Sequence, residues 1–194
     1  MTSAKAGSAL WAFAAIMFLA YPILRPYSSE VGMEGAEAFG ETSWVIAHVC
    51  AMLGFIAIAL AMRSLEQLVG PSAGASAASV AVVVTWIGVG LTLAYYGAEA
   101  FALNALGTKA VSDADPAIME LADPIRNGAV QISMFGIGLL LVLIGGVYFA
   151  GGYELKMLER QLSSQVRRTT ESVAARRAAE VVQQTAQHEL AQAE

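Results

Sequence analysis

Charge is scarce in this chain. Only 14% of its 194 residues are Asp, Glu, Lys or Arg, against roughly a quarter in an average soluble domain. Cysteine is scarcer still. Cys50 stands alone, so no intramolecular disulfide can form and cysteine usage carries no compartment signal. There are two histidines, His48 and His188. The sequence has no nucleophile elbow, no phosphate-binding glycine loop, no metalloprotease helix and no CxxC pair. Those absences remove the familiar routes to soluble enzymology. A net basic patch interleaved with aromatics is missing as well, which excludes nucleic acid as a partner.

What the chain does have is four long apolar runs, at 8–24, 44–62, 77–98 and 129–150, interrupted by one ionisable side chain, His48. A bilayer core about 30 Å thick takes roughly 20 apolar residues of helix to cross. Residues do not alternate between apolar and polar within the runs, so helices are expected rather than barrel strands. The sequence therefore predicts an all-α integral membrane protein. Its residues 1–152 form an up-down bundle of four transmembrane helices, with spans at about 8–24, 44–62, 77–103 and 129–150. Residues 153–194 form a long cytoplasmic helix behind it. The first run could serve as a secretory signal, but it continues through Pro22 to Arg25-Pro26 without a small-x-small cleavage site, so an uncleaved helix is expected. Pro22 should distort the last turn of that helix.

Lysine and arginine set the orientation. One side of a four-span chain carries Lys5, Arg63, Lys156, Arg160, Arg167, Arg168, Arg176 and Arg177; the other carries only Arg25, Lys109 and Arg126. Both termini are therefore expected in the cytoplasm, and the bacterial inner membrane fits this pattern. The two external loops, 25–43 and 104–128, hold eight acids. Four of these, Glu30, Glu34, Glu37 and Glu41, would form one acidic stripe on a helix, although Gly32, Gly35 and Gly40 argue for a loop. In the second loop, Ser112-Asp113-Ala114-Asp115 lacks the glycine and remaining acids of a calcium loop.

Small residues allow close helix approach in lipid. Gly90, Ala94, Ala98 and Ala102 recur every four residues and predict a packing face, within the bundle or between subunits. Gly136, Gly138, Gly145 and Gly146 do the same on the fourth run. Gly151-Gly152 reads as a hinge between that run and the tail. From residue 154 onward there is no proline or glycine. Leu155, Leu158, Leu162, Val166 and Val173 there make an apolar stripe that suggests a coiled coil without sustained heptads. The tail's six acids and six bases cancel, so a purely electrostatic lipid anchor is not expected.

Ionisable groups at membrane depth are costly and are functional candidates by default. Here they are His48, near the outer end of the second span, and Glu99, near the outer end of the third. Opposite chain directions bring them to one depth, where they could meet. Glu99 shares a helix face with Thr92, Tyr95, Tyr96 and Leu103; His48 shares one with Trp44, Met52 and Phe55. A helix starting early would add Glu41. His48, Glu99 and Glu41 could together hold a divalent metal, or His48 could ligate haem, with His188, Met52 or Met134 as weak candidates for a second ligand. Alternatively, His48 and Glu99 simply bind each other.

The expected function is a small non-enzymatic membrane adaptor, assembly factor or scaffold. In this reading the bundle anchors the chain in the lipid bilayer, and the C-terminal helix binds a cytoplasmic protein partner or another copy. A homo-oligomer or a subunit of a membrane complex follows from it. The alternatives are a haem- or metal-binding membrane protein with an outer-leaflet site at His48 and Glu99, and a multimeric transporter or channel subunit.

Overall fold

The computed structural model describes the backbone of residues 3–193 and the side chains of residues 5–181. All regular structure among the described residues is helical. Four helices are long and apolar enough to cross a membrane: α1 (Ser3–Leu24), α3 (Thr42–Val69), α4 (Ala75–Gly97) with its continuation, and α7 (Ala129–Ala193). Between them lie α2 (Gly32–Gly40), a π turn (Ala98–Ala102), α5 (Leu103–Asp113), a 3-10 turn (Pro116–Leu121) and α6 (Ala122–Asn127).

The long helices pack in chain order, α1 on α3, α3 on α4 and α4 on α7, with little contact between α3 and α7. Each successive pair is antiparallel. Gly7 lies beside Ser64 and Phe18 beside Phe55, while the Trp86 indole donates to the Ala59 carbonyl and Tyr95 stacks on Phe135. Ile16, Leu19, Ile23, Val83, Leu143 and Val147 are exposed on the outer faces. A belt of this kind suits contact with lipid rather than water. The helix of α1 continues through Pro22 and stops two residues later.

Glycine decides how closely α4 and α7 approach. A Cβ at Gly88 would lie 2.6 Å from the Gly138 carbonyl oxygen, and one at Gly138 would lie 2.6 Å from the Thr92 hydroxyl. Ala81, Thr85, Gly88 and Thr92 are buried on this face of α4. The stripe expected from sequence does not make this contact. Gly90 has no neighbour within 4 Å of a Cβ, and Ala94 and Ala102 are exposed. The reason is register: Gly90 follows Gly88 by two residues, about 200° around the helix.

Neither of the long connections expected to be external is irregular throughout. α2 and α5 pack across one another, joined by the 3-10 turn and α6. Ala36, Phe39, Trp44, Leu103, Ala110, Met119 and Ala122 form a buried apolar cluster. Together these elements make a cap over one end of the long helices. Of the glycines that argued against a helix, Gly35 has the Glu30 backbone where a Cβ would stand; on the other side of the crossing, the Cβ missing at Gly107 leaves room for the backbone at Ala36. Asn104 fastens the crossing by donating to the Phe39 carbonyl at 2.8 Å.

The hinge expected at Gly151-Gly152 is absent. α7 is one helix of 65 residues, because Gly152 is buried flat against Gly74 and needs no side chain there.

Candidate functional site

Beneath the cap, α3 and the π turn bring His48 and Glu99 together. His48 is 1% exposed and Glu99 3%, with His48 Nε2 standing 3.6 Å from Glu99 Oε2. The shared depth follows from helical rise along two antiparallel helices. The π turn carries Glu99 itself, and such turns recur at functional sites. The Glu99 carbonyl accepts the Trp44 indole N–H at 2.7 Å, and His48 Nδ1 lies 2.7 Å from the Trp44 carbonyl. The His48 ring packs on Trp44, with centroids 4.4 Å apart, and against Tyr21 at 5.3 Å.

Three further side chains complete a charge network that helical periodicity could not reveal. Arg126 Nε donates to Glu99 Oε1 at 2.8 Å, and its terminal nitrogen reaches Glu30. Glu30 also accepts from Arg25. Both guanidiniums lie over the Trp44 ring, at 5.0 Å for Arg25 and 5.9 Å for Arg126. The order is therefore His48, Glu99, Arg126, Glu30, Arg25. It joins α3, the π turn, α6 and the segment between α1 and α2. Two guanidiniums balance two carboxylates, as buried charges require.

Burial, the largest influence on Glu30, favours its neutral form, but Arg126 and then Arg25 outweigh this and hold its carboxyl below the usual range. For Arg126 burial acts first and downward, and its bonds to Glu30 and Glu99 reverse the direction, leaving it charged at all ordinary pH. A carboxylate with a depressed folded pKa contributes stability that is present above its unfolded value, here 4.5, and is lost as pH falls through the folded value. Acid titration of detergent-solubilised protein should therefore show a loss of thermal stability below about pH 4.5. Glu30→Gln should flatten that slope. A slope unchanged in Glu30→Gln would assign the acid sensitivity elsewhere.

The acidic stripe expected from sequence is divided among different roles. Glu30 turns inward to the arginines, and Glu34 accepts from the backbone of Ser29. Glu41 accepts from Ser43 at 2.7 Å on the surface and, with Glu37 and Thr108, lines an open groove of about 450 Å³. Glu41 therefore does not join His48 and Glu99. Among the described residues no three of His, Cys, Asp and Glu gather as a metal-binding group. The side chain of His188 lies outside the described residues. In the second loop, Asp113 pairs with Lys109 and Asp115 caps the 3-10 turn at Ala117.

At the opposite end the base of the tail is tied down. Lys156 donates to the Leu68 carbonyl, and Glu159 accepts from the Ala73 amide at 2.8 Å. Leu155, Leu158, Leu162, Val166 and Val173 are all exposed. Set against protein-family models, curated proteins and solved structures, the chain matches none.

Proposed function

We propose that this chain is a multi-pass, non-enzymatic scaffold of the cytoplasmic membrane. Its termini are cytoplasmic, and it self-associates through the C-terminal half of α7. The observation that carries this reading is an unbroken helix with an exposed apolar stripe, tied at its base through Lys156 and Glu159. Forty residues of helix extend about 60 Å beyond the membrane end. Leu155, Leu158 and Leu162 recur eleven residues later as Val166, Thr169 and Val173. An eleven-residue period has about 3.67 residues per turn, so the stripe runs almost straight along one face. A straight stripe suits parallel pairing of two tails rooted in one membrane.

A second copy is the occupant favoured for two reasons. The tail's charges cancel, so copies do not repel. The ties at Lys156 and Glu159 also hold neighbouring stripes in one orientation, which raises their effective concentration.

The test uses Cys50→Ala protein in nanodiscs, with a single cysteine introduced at Leu162. The two introduced thiols should cross-link like to like, as parallel pairing requires. Leu158→Glu combined with Val166→Glu should abolish the cross-link, and deleting residues 154–194 should leave monomers by mass. The proposal fails if the truncated chain associates as the full chain does. It fails equally if the full chain is a monomer under all loading conditions.

A further inference from the structure

His48 and Glu99 face one another as two acceptors. The Trp44 carbonyl can only accept, so the 2.7 Å contact requires His48 Nδ1 to carry a hydrogen. In the neutral ring that leaves Nε2 with a bare lone pair, directed at Glu99 Oε2 across 3.6 Å. That oxygen is buried and has no hydrogen-bond partner. The other carboxylate oxygen is taken by Arg126. Two lone pairs opposed in a buried site are unfavourable unless something positive or hydrogen-bearing lies between them.

We propose that the gap between His48 Nε2 and Glu99 Oε2 is a binding site for one proton, shared between the two side chains. The proton comes from solvent on the cap side and returns there. No other bond forms or breaks, and nothing is oxidised or reduced. Charge balance favours a proton over a divalent ion. Arg25 and Arg126 already neutralise Glu30 and Glu99, so the loaded site carries one positive charge, whereas a divalent ion would add two beside two guanidiniums.

The groups around His48 come from every element packed on it. Tyr21 stands on α1 and Tyr96 on α4; Glu99 lies in the π turn, with Tyr95 interacting with it from the turn before. Arg25 and Arg126 approach over Trp44. Uptake of the proton converts an acceptor-to-acceptor contact into an ion pair joining α3 to the π turn. Because Glu99 also holds Arg126, and Arg126 holds Glu30, the cap is tied more firmly to the helices when the site is loaded. This goes beyond the scaffold reading and does not depend on it.

The test is nitrogen NMR of ring-labelled histidine in His188→Gln protein, where His48 is the only histidine, titrated in nanodiscs. Nδ1 should remain an N–H throughout, and Nε2 should pass from bare to protonated as pH falls. Glu99→Gln supplies an amide N–H to the bare Nε2. It should weaken proton uptake at least tenfold while preserving the Nδ1–H form. An Nε2–H, bare-Nδ1 ring across the titration would overturn the proposal. So would a midpoint unchanged in Glu99→Gln. A resonance that moves only with added zinc and reverts with chelator would also overturn it, in favour of a metal. Should Glu99→Gln fail to fold, the tautomer of the His188→Gln protein decides alone.

Discussion

Arg126→Ala should loosen the cap and cost about 3–5 kcal/mol, the range for removing one partner of a buried ion pair. The substitution strips Glu99, 3% exposed, of the guanidinium on its Oε1, and Glu30 of its partner on α6. Glu99 is then left buried beside His48 without a guanidinium, and Glu30 keeps Arg25 alone. Thermal unfolding in detergent should begin at a lower temperature. Protease should also cut within residues 104–128, where it spares the parent chain. Arg126→Met with Glu99→Gln should recover part of the loss, since the buried charge left behind carries most of the penalty. Lys109→Ala removes an exposed pair in the same region and should change neither measurement. Equal effects from Arg126→Ala and Lys109→Ala would mean that the network does not hold the cap.

Two of the five members of this network were legible in the sequence. His48 and Glu99 lie on long apolar helices, where rise per residue fixes depth and period fixes the face. Their meeting follows from counting residues inward from the same end. Arg126, Glu30 and Arg25 obey no such rule, because they sit in short segments whose path is set by tertiary packing. The cap itself was hidden by Gly32, Gly35 and Gly40, which on propensity speak against a helix. Packing and backbone conformation override that preference: at Gly35 the missing side chain leaves room for the Glu30 backbone, and Gly32 opens the helix with a positive φ of 61° that suits glycine. The same logic misled at Gly151-Gly152, where two glycines suggested a hinge and one of them, Gly152, instead permits contact with Gly74. The π turn leaves no trace in composition, yet it carries the carboxylate that faces His48.

Substitutions at Gly88 and Gly90, two residues apart on one helix, should have opposite consequences. A Cβ at Gly88 would meet backbone, the Gly138 carbonyl oxygen at 2.6 Å and the Val142 nitrogen at 2.9 Å, and backbone cannot rotate away. Gly88→Ala should therefore separate α4 from α7 and cost about 1–3 kcal/mol, as overpacking of a close contact does. Gly88→Leu should prevent recovery of folded protein. Gly90 has open space around it, so Gly90→Ala should be neutral or stabilising by up to about 1 kcal/mol, the gain in helix propensity. The folded yield of the four proteins, Ala and Leu at each site, and thermal melts of those recovered check this ordering. A harmful Gly90→Leu beside a silent Gly88→Leu would return the close packing to the stripe of Gly90, Ala94, Ala98 and Ala102. A Gly90→Leu protein that melts normally but no longer associates would give that stripe a different role. Its small residues, turned away from α7, would then be a face between copies within the membrane, a second contact beside the one proposed for the tails.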